Sequence, residues 1–249
     1  MADVDTPQSS PFLRQLASSD PEARTQALEN LRVYLSGHSA FSPLELLKLW
    51  KGLYYCMWMS DKALIQQRLA SELAGLIEIL RAENVIPFLD AFWKTMAREW
   101  SGIDALRMDK FLRLVRFYLR ATWVWLARGE WRDVEARKRF LEILEETPLS
   151  AKDMKIPNGL RYHVLDIYVD ELEKIMPEEE GKRETVPLQE LLEPVRRLSK
   201  QSPTKPVRKR AQETLEDDRL KEWRGEVVEE KDVPQIQDQK IDDDFEGFD

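Results

Sequence analysis

Ser42-Pro43-Leu44-Glu45-Leu46-Leu47-Lys48-Leu49-Trp50-Lys51-Gly52-Leu53-Tyr54-Tyr55-Cys56-Met57-Trp58 is the stretch that decides the fold class. Ser42 and Glu45 have the spacing of a reciprocal N-terminal cap, and Pro43 suits the first helical turn, where a missing N–H costs nothing. Leu46, Leu49, Trp50, Leu53 and Met57 then recur at the spacing of one helical face. Upstream, Ser19, Pro21 and Glu22 repeat the start signal. Ala23, Ala27, Leu28, Leu31 and Leu35 continue it toward a stop at Gly37.

Downstream, Asp61 is predicted to cap a helix that buries Leu64, Ile65, Leu69, Leu73, Leu76 and Leu80. Periodicity predicts further helices over 85–100, 104–127, 131–146 and 159–176, with breaks at Pro148, Pro157 and Pro177, and a shorter pair over 187–200 and 204–222. No β-branched run is bounded by an Asn-Gly or Asp-Gly turn, and only 9 glycines interrupt the chain. Leu49-Trp50-Lys51 returns 43 residues later as Phe92-Trp93-Lys94, and each copy is followed by a second tryptophan (Trp58, Trp100), a serine (Ser60, Ser101) and an aspartate (Asp61, Asp104). That period lies in the range of two-helix repeats. The expected fold is therefore all-α: a HEAT- or armadillo-like α-solenoid of stacked antiparallel helices with a disordered acidic C-terminal tail. The expected organisation is a disordered segment 1–10, a helical-repeat domain 11–177, additional helices with a basic segment over 178–224, and the tail 225–249. The tail holds ten acids against two lysines, a net charge of −8, which equals the charge of the whole chain.

Catalytic signatures are missing. His38 and His163 are the only histidines and Cys56 the only cysteine. The phosphate loop, the dinucleotide fingerprint, the H-E-x-x-H zinc motif and the nucleophile elbow do not occur. A lone thiol among Tyr55, Met57 and Trp58 reads as a buried, inert group. The longest apolar stretch, 117–127, contains Arg120 and is too short for a membrane span. The expectation is a soluble protein of a reducing compartment, with no enzymatic activity, cofactor, metal, membrane or small-molecule substrate. Of the eight tryptophans, five or six fit core positions.

Binding surfaces are the better candidates. Arg113, Arg116 and Arg120 fall within about 60° on one helix face. Such a row can grip a partner's carboxylates or phosphates. It can equally pair with acids on the next helix, such as Glu130, Asp133 or Glu135. Across 98–139 there are 11 Lys/Arg against 6 Asp/Glu, and Arg137, Lys138 and Arg139 contribute to that excess. A second block, 196–210, has seven basic residues and no acid. Within it Lys205, Arg208, Lys209 and Arg210 read as a nuclear-import or RNA-contact segment on a flexible, proline-containing run. Beside it, Ser202-Pro203-Thr204-Lys205 has the form of a proline-directed phosphorylation site. Rigid spacing and apolar flanks favour protein docking for the arginine row, and the second block favours import or RNA.

Leu49-Trp50-Lys51-Gly52-Leu53-Tyr54-Tyr55-Cys56-Met57-Trp58-Met59-Ser60-Asp61 also resembles the signature of the ribosomal RNA processing protein 1 family, the nucleolar protein 52 family. Gln66-Gln67-Arg68-Leu69-Ala70, Phe92-Trp93-Lys94 with Glu99-Trp100, the Ile103–Leu114 segment and Tyr162-His163-Val164-Leu165-Asp166 extend the likeness over 12–176. The resemblance implies a nuclear, nucleolar assembly factor for large-subunit precursors. It would act in rRNA maturation around the internal transcribed spacer by binding and not by catalysis. The implied partners are other large-subunit assembly factors and ribosomal proteins of a nucleolar pre-ribosome, with rRNA contact. A different reading of the charge pattern is a soluble nuclear transport or chaperone-like adaptor whose acidic tail shields basic cargo.

Overall fold

Some helix starts lie where a side chain catches the free N–H groups of a first turn. In the computed structural model, which describes residues 11–37 and 40–225, Ser42 Oγ accepts from Glu45 N–H at 3.3 Å while Glu45 Oε2 accepts from Ser42 N–H at 2.8 Å. This reciprocal cap opens a helix where the sequence places it. The order is α1 (Pro11–Leu16), α2 (Pro21–Gly37), α3 (Pro43–Trp58), α4 (Ala63–Ala74), α5 (Leu76–Ile79), α6 (Ala82–Glu99), α7 (Ala105–Ala127), α8 (Val134–Glu146) and α9 (Asn158–Glu173). Five short helices follow: α10 (Glu180–Arg183), α11 (Leu188–Leu191), α12 (Glu193–Gln201), α13 (Lys205–Leu215) and α14 (Asp218–Trp223). No strand occurs among the described residues, so this part of the chain is all-helical. The expectations for 1–10 and for the acidic tail fall on 1–10 and 226–249, outside the described residues.

Several local expectations need correction. At the start of α2 the carboxylate of Asp20, not Ser19, accepts from Glu22 N–H, at 3.0 Å. Asp104 caps α7 and Asp133 caps α8, but α4 begins after Lys62 with no side-chain cap, so Asp61 does not fill that role. Leu64 is 83% exposed and Ile65 38% exposed, because the buried face of α4 begins only at Leu69. Leu76 and Leu80 are buried, but they lie beyond a break at Gly75. The segment predicted over 85–100 starts earlier and keeps Pro87 inside α6. Of the predicted pair over 187–200 and 204–222, the gap after Gln201 falls where the sequence places it, but each member is itself divided, after Leu191 and after Leu215.

Packing follows two rows. Along one, α3 packs on α6, α6 on α8 and α8 on α12; along the other, α4 packs on α7, α7 on α9 and α9 on α13. α3 also touches α4, and α12 packs against α13. A single core runs between them. Trp50 sits at its first centre: its Nε1 donates to the Phe88 carbonyl at 3.0 Å, and its ring meets Phe88, Phe92 and Tyr118 at 4.8–5.0 Å. Trp123 anchors a second centre against Phe140 and Tyr168. Trp50, Trp93, Trp100, Trp123 and Trp131 are buried, whereas Trp58 is half-exposed with the Arg107 guanidinium 4.7 Å from its ring centre. Both tryptophans of the repeated Leu/Phe-Trp-Lys motif are therefore architectural.

Candidate interaction surfaces

The arginine row on α7 faces α9, and α9 supplies its counter-charges. Arg120 Nε donates to Glu171 Oε2 at 2.6 Å, and Arg116 Nη1 to Glu171 Oε1 at 2.9 Å. Lys174 Nζ adds a third cation, also at 2.6 Å. Glu171 is fully buried, while the side chains of Arg116 and Arg120 keep 34% and 37% of their surface. Burial pushes the Glu171 carboxyl up, and the hydrogen bonds from Arg120 and Lys174 outweigh it, leaving the group below its ordinary value. Asp170 joins the cluster, 3.4 Å from Arg116 and 3.1 Å from Arg219 of α14. Arg113 is half-buried and has no ion-pair partner among the described residues. Pairing with a neighbouring helix thus occurs, but with Asp170 and Glu171 in place of Glu130, Asp133 or Glu135.

Arg137, Lys138 and Arg139 are adjacent in sequence and separate in space. Arg137 is buried; its guanidinium donates to Glu190 at 2.9 Å and to the Trp131 carbonyl. That carbonyl ends a left-handed run in which Glu130 and Trp131 have φ of 59° and 61°. A bulky side chain is disfavoured there, so burial of Trp131 and the Arg137 contact hold the turn. Arg139 is exposed and pairs with Glu142 at 2.6 Å. Lys138 is exposed on the wall of a cleft of about 520 Å³ between α8 and α12, where Glu190, Glu193 and Arg197 also lie.

The second basic block is helical, which corrects the expectation of a flexible run. Pro206 sits in the first turn of α13, a position proline favours, and Val207 and Ala211 are buried against the core. Lys205 and Lys209 are exposed one turn apart. Arg208 turns back to donate to the Ser202 and Pro203 carbonyls at 2.7 and 3.1 Å. Arg210 approaches Asp166 at 3.4 Å, and Lys209 approaches Glu213 at 3.5 Å. On α12, Arg197 bridges Glu193 and Glu145. Lys200 and Lys205 are exposed with no ion-pair partner among the described residues. Ser202, the acceptor of the proposed phosphorylation motif, is 5% exposed, so its hydroxyl is covered in this state.

Two further groups were not legible as functional or structural in the sequence. Lys110 is buried and donates to the Trp58 and Ser60 carbonyls at 2.6 and 2.7 Å, ending α3 with a cation. Arg161 is buried and ties the α8–α9 connection through the carbonyls of Ser150, Asp153 and Ile156. Their register was the available signal: on α7 Lys110 falls about 40° from the buried Leu114. His163 is half-buried, its Nε2 2.8 Å from the Leu112 carbonyl, with its pKa lowered chiefly by desolvation. Cys56 is buried, its thiol pushed up to about 11 by desolvation. His38 lies outside the described residues. Among those described, no group of three or more His, Cys, Asp or Glu has the arrangement of a metal site, and no helix is long and apolar enough to cross a membrane.

Comparison with known proteins connects this framework to a family. The family model described as "Nucleolar protein, Nop52" matches residues 7–247. Ribosomal RNA processing protein 1 homolog B of Homo sapiens is 41% identical over 183 residues, covering 70% of this chain and 24% of that protein. Homolog A of Mus musculus is 40% identical over 168 residues, covering 65% and 34%. The Caenorhabditis elegans homolog is 37% identical over 166 residues, covering 65% and 41%. The chain thus spans about a quarter to two-fifths of the length of these relatives. With a match across nearly all of its residues, the chain belongs to the Nop52 family of nucleolar proteins.

Proposed function

We propose that this chain is a non-catalytic factor of ribosomal RNA processing, an α-solenoid platform in assembly of the large ribosomal subunit. It docks other assembly factors and ribosomal proteins within a nucleolar pre-ribosome, and it contacts the rRNA precursor. The two parallel series of helix contacts support the solenoid reading, since each helix packs on the next member of its own row. The relatives' names support rRNA processing.

The observation that carries the binding mode is the cationic end formed by α12 and α13. Lys200, Lys205 and Lys209 are exposed there, on helices whose other faces join the core. Cations held on rigid helices and free of buried carboxylates suit phosphate contacts, each of which releases condensed counterions. On the α7 row Arg116 and Arg120 are engaged by Asp170 and Glu171 of the same chain, so Arg113, half-buried with no ion-pair partner among the described residues, is the position of that row left for protein docking.

Purification of the tagged chain at moderate salt tests the reading. Large-subunit precursors, with their proteins and rRNA, should co-elute. Depletion should lower large subunits and accumulate their precursor rRNA. A deficit confined to small subunits would reject the proposal.

A further inference from the structure

Helices α8 and α12 run side by side in the same direction. Arg137 near the start of α8 pairs with Glu190 on α11, just before α12, and Glu145 near the end of α8 pairs with Arg197. The cleft of about 520 Å³ beside Lys138 lies between them, and a second hollow of about 470 Å³ opens where their far ends meet the α8–α9 connection. Glu142, Glu145 and Arg197 line both, so the two form one groove. α8 flanks it from Val134 to Glu146, roughly 20 Å at about 1.5 Å per residue. Its floor is apolar: Leu141 and Leu149 are buried there, and Val134 at the near end is 58% exposed. Its rim is acidic. Six carboxylates line the groove against four cations, and two of those cations are already engaged. Arg197 bridges Glu145 and Glu193 at 2.8 and 3.0 Å, and Arg196 donates to the Gln189 carbonyl at 2.6 Å. Glu146 is exposed and has no ion-pair partner among the described residues. Burial chiefly, then Glu193 and Glu142, hold the Glu145 carboxyl above its ordinary value in spite of Arg197.

We propose that this groove docks a basic segment of another protein, an extended stretch of about six residues that carries Lys or Arg side chains around an apolar one. Glu142, Glu146 and Asp153 surround the far hollow, where one cationic side chain enters. Glu190 and Glu193 take a second at the near hollow, and Val134 and Leu141 meet the apolar side chain. A cation brought here meets an excess of acid beside an apolar floor, so charge and burial act together. RNA has the wrong sign for the groove. So has this chain's own stretch 226–249, with ten acids to two lysines. The cationic end formed by α12 and α13 and the acidic groove between α8 and α12 thus share a helix and suit partners of opposite charge. The inference rests on the docking reading above only for the source of the segment, a protein of the same particle.

Fluorescence anisotropy of the full chain with the labelled peptide Arg-Leu-Lys-Arg-Leu-Lys-Arg tests the proposal. Glu142→Lys with Glu146→Lys should weaken binding about tenfold or more. Asp242→Lys with Asp243→Lys changes the net charge equally and should alter binding by less than about twofold. Glu142→Gln with Glu146→Gln keeps the side-chain shape and should give an intermediate loss, which separates a lost site from a misfolded reversal variant. Carbodiimide crosslinks from the peptide lysines should fall on the glutamates of the groove. Equal weakening in the two reversal pairs would mean attraction by net charge alone and would overturn the site. Binding unchanged by Glu142→Lys with Glu146→Lys, or crosslinks confined to 226–249, would overturn it equally. Each of these failures leaves co-elution of the parent chain with large-subunit precursors as the separate test of the function proposed above.

Discussion

Two runs of basic residues in this chain look alike when written out and differ in the folded molecule. On α7, Arg116 and Arg120 converge on one fully buried carboxylate, Glu171, with Lys174 beside it. On α12 and α13, Lys200, Lys205 and Lys209 stand in solvent, and among the described residues the one ion pair they make is Lys209 with Glu213 at 3.5 Å, both exposed. The first group orders an interface between helices, whereas the second leaves its charge for something outside. A cationic row acquires meaning from the acid opposite it, and that acid is more than fifty positions away in sequence.

Removing that acid should have the largest effect. Glu171→Gln leaves three cations around an uncharged buried side chain and should cost about 3 kcal/mol, the lower end for breaking a buried pair because the arginines reach solvent. The folded-state pKa of Glu171 lies below its ordinary value, so its contribution is present at neutral pH. It is lost as pH falls through the lowered pKa, and urea melts of parent and variant should converge in acid. Equal stabilities at pH 7 would dissolve the contrast between the two rows.

The exposed row should behave in the opposite way. Replacing Lys200, Lys205 and Lys209 with Glu should leave stability within about 0.5 kcal/mol, as for ordinary surface positions. Affinity for precursor rRNA should drop roughly 30-fold, about 2 kcal/mol, with a shallower salt dependence, if each lysine neutralises one phosphate. Filter binding across a salt series reads both. Unchanged RNA affinity would move the RNA contact elsewhere. Arg116→Ala with Arg120→Ala completes the cross-comparison: a stability loss of about 1–2 kcal/mol, smaller than for Glu171 because Lys174 still partners the buried acid. RNA affinity should hold.

How much of this the sequence disclosed depends on distance along the chain. The Ser42–Glu45 cap, the Asp104 cap and the buried periodicity of Leu49, Trp50 and Leu53 are local, and the structure contains them. Pairing between helices is not local. Chain order points to the following helix for acids opposite Arg116 and Arg120, but α7 packs on α9, the next member of its own row, and α8 belongs to the other. That alternation placed the partners at Asp170 and Glu171. Asp61 misled for a related reason: its position copies Asp104 by the 43-residue repeat, but α4 starts after Lys62 without using it. The exposure of Lys200 and Lys205 follows from which face α12 and α13 bury, which composition alone does not convey.

Lys110 offers the finest test, because it is a cation on α7 that belongs to neither row. Its ammonium is buried against the Trp58 and Ser60 carbonyls, and burial, the leading cause, lowers its pKa to about 8. An unfolded lysine titrates near 10.4. Between those values the unfolded chain binds more protons than the folded one, so this group makes stability rise with pH. From pH 8 to 9 the gain should be about 1 kcal/mol. Cys56 works against it, since burial pushes the thiol up to about 11 and the folded chain keeps that proton longer. The comparison must therefore be made against Lys110→Met, which retains Cys56 and the buried tyrosines and removes only the ammonium. Urea melts at pH 8, 8.5 and 9 should show the parent gaining on the variant by about 1 kcal/mol across the range. Parallel curves would mean that Lys110 stays charged throughout, held by the end of α3 as firmly as the arginines are held by Glu171.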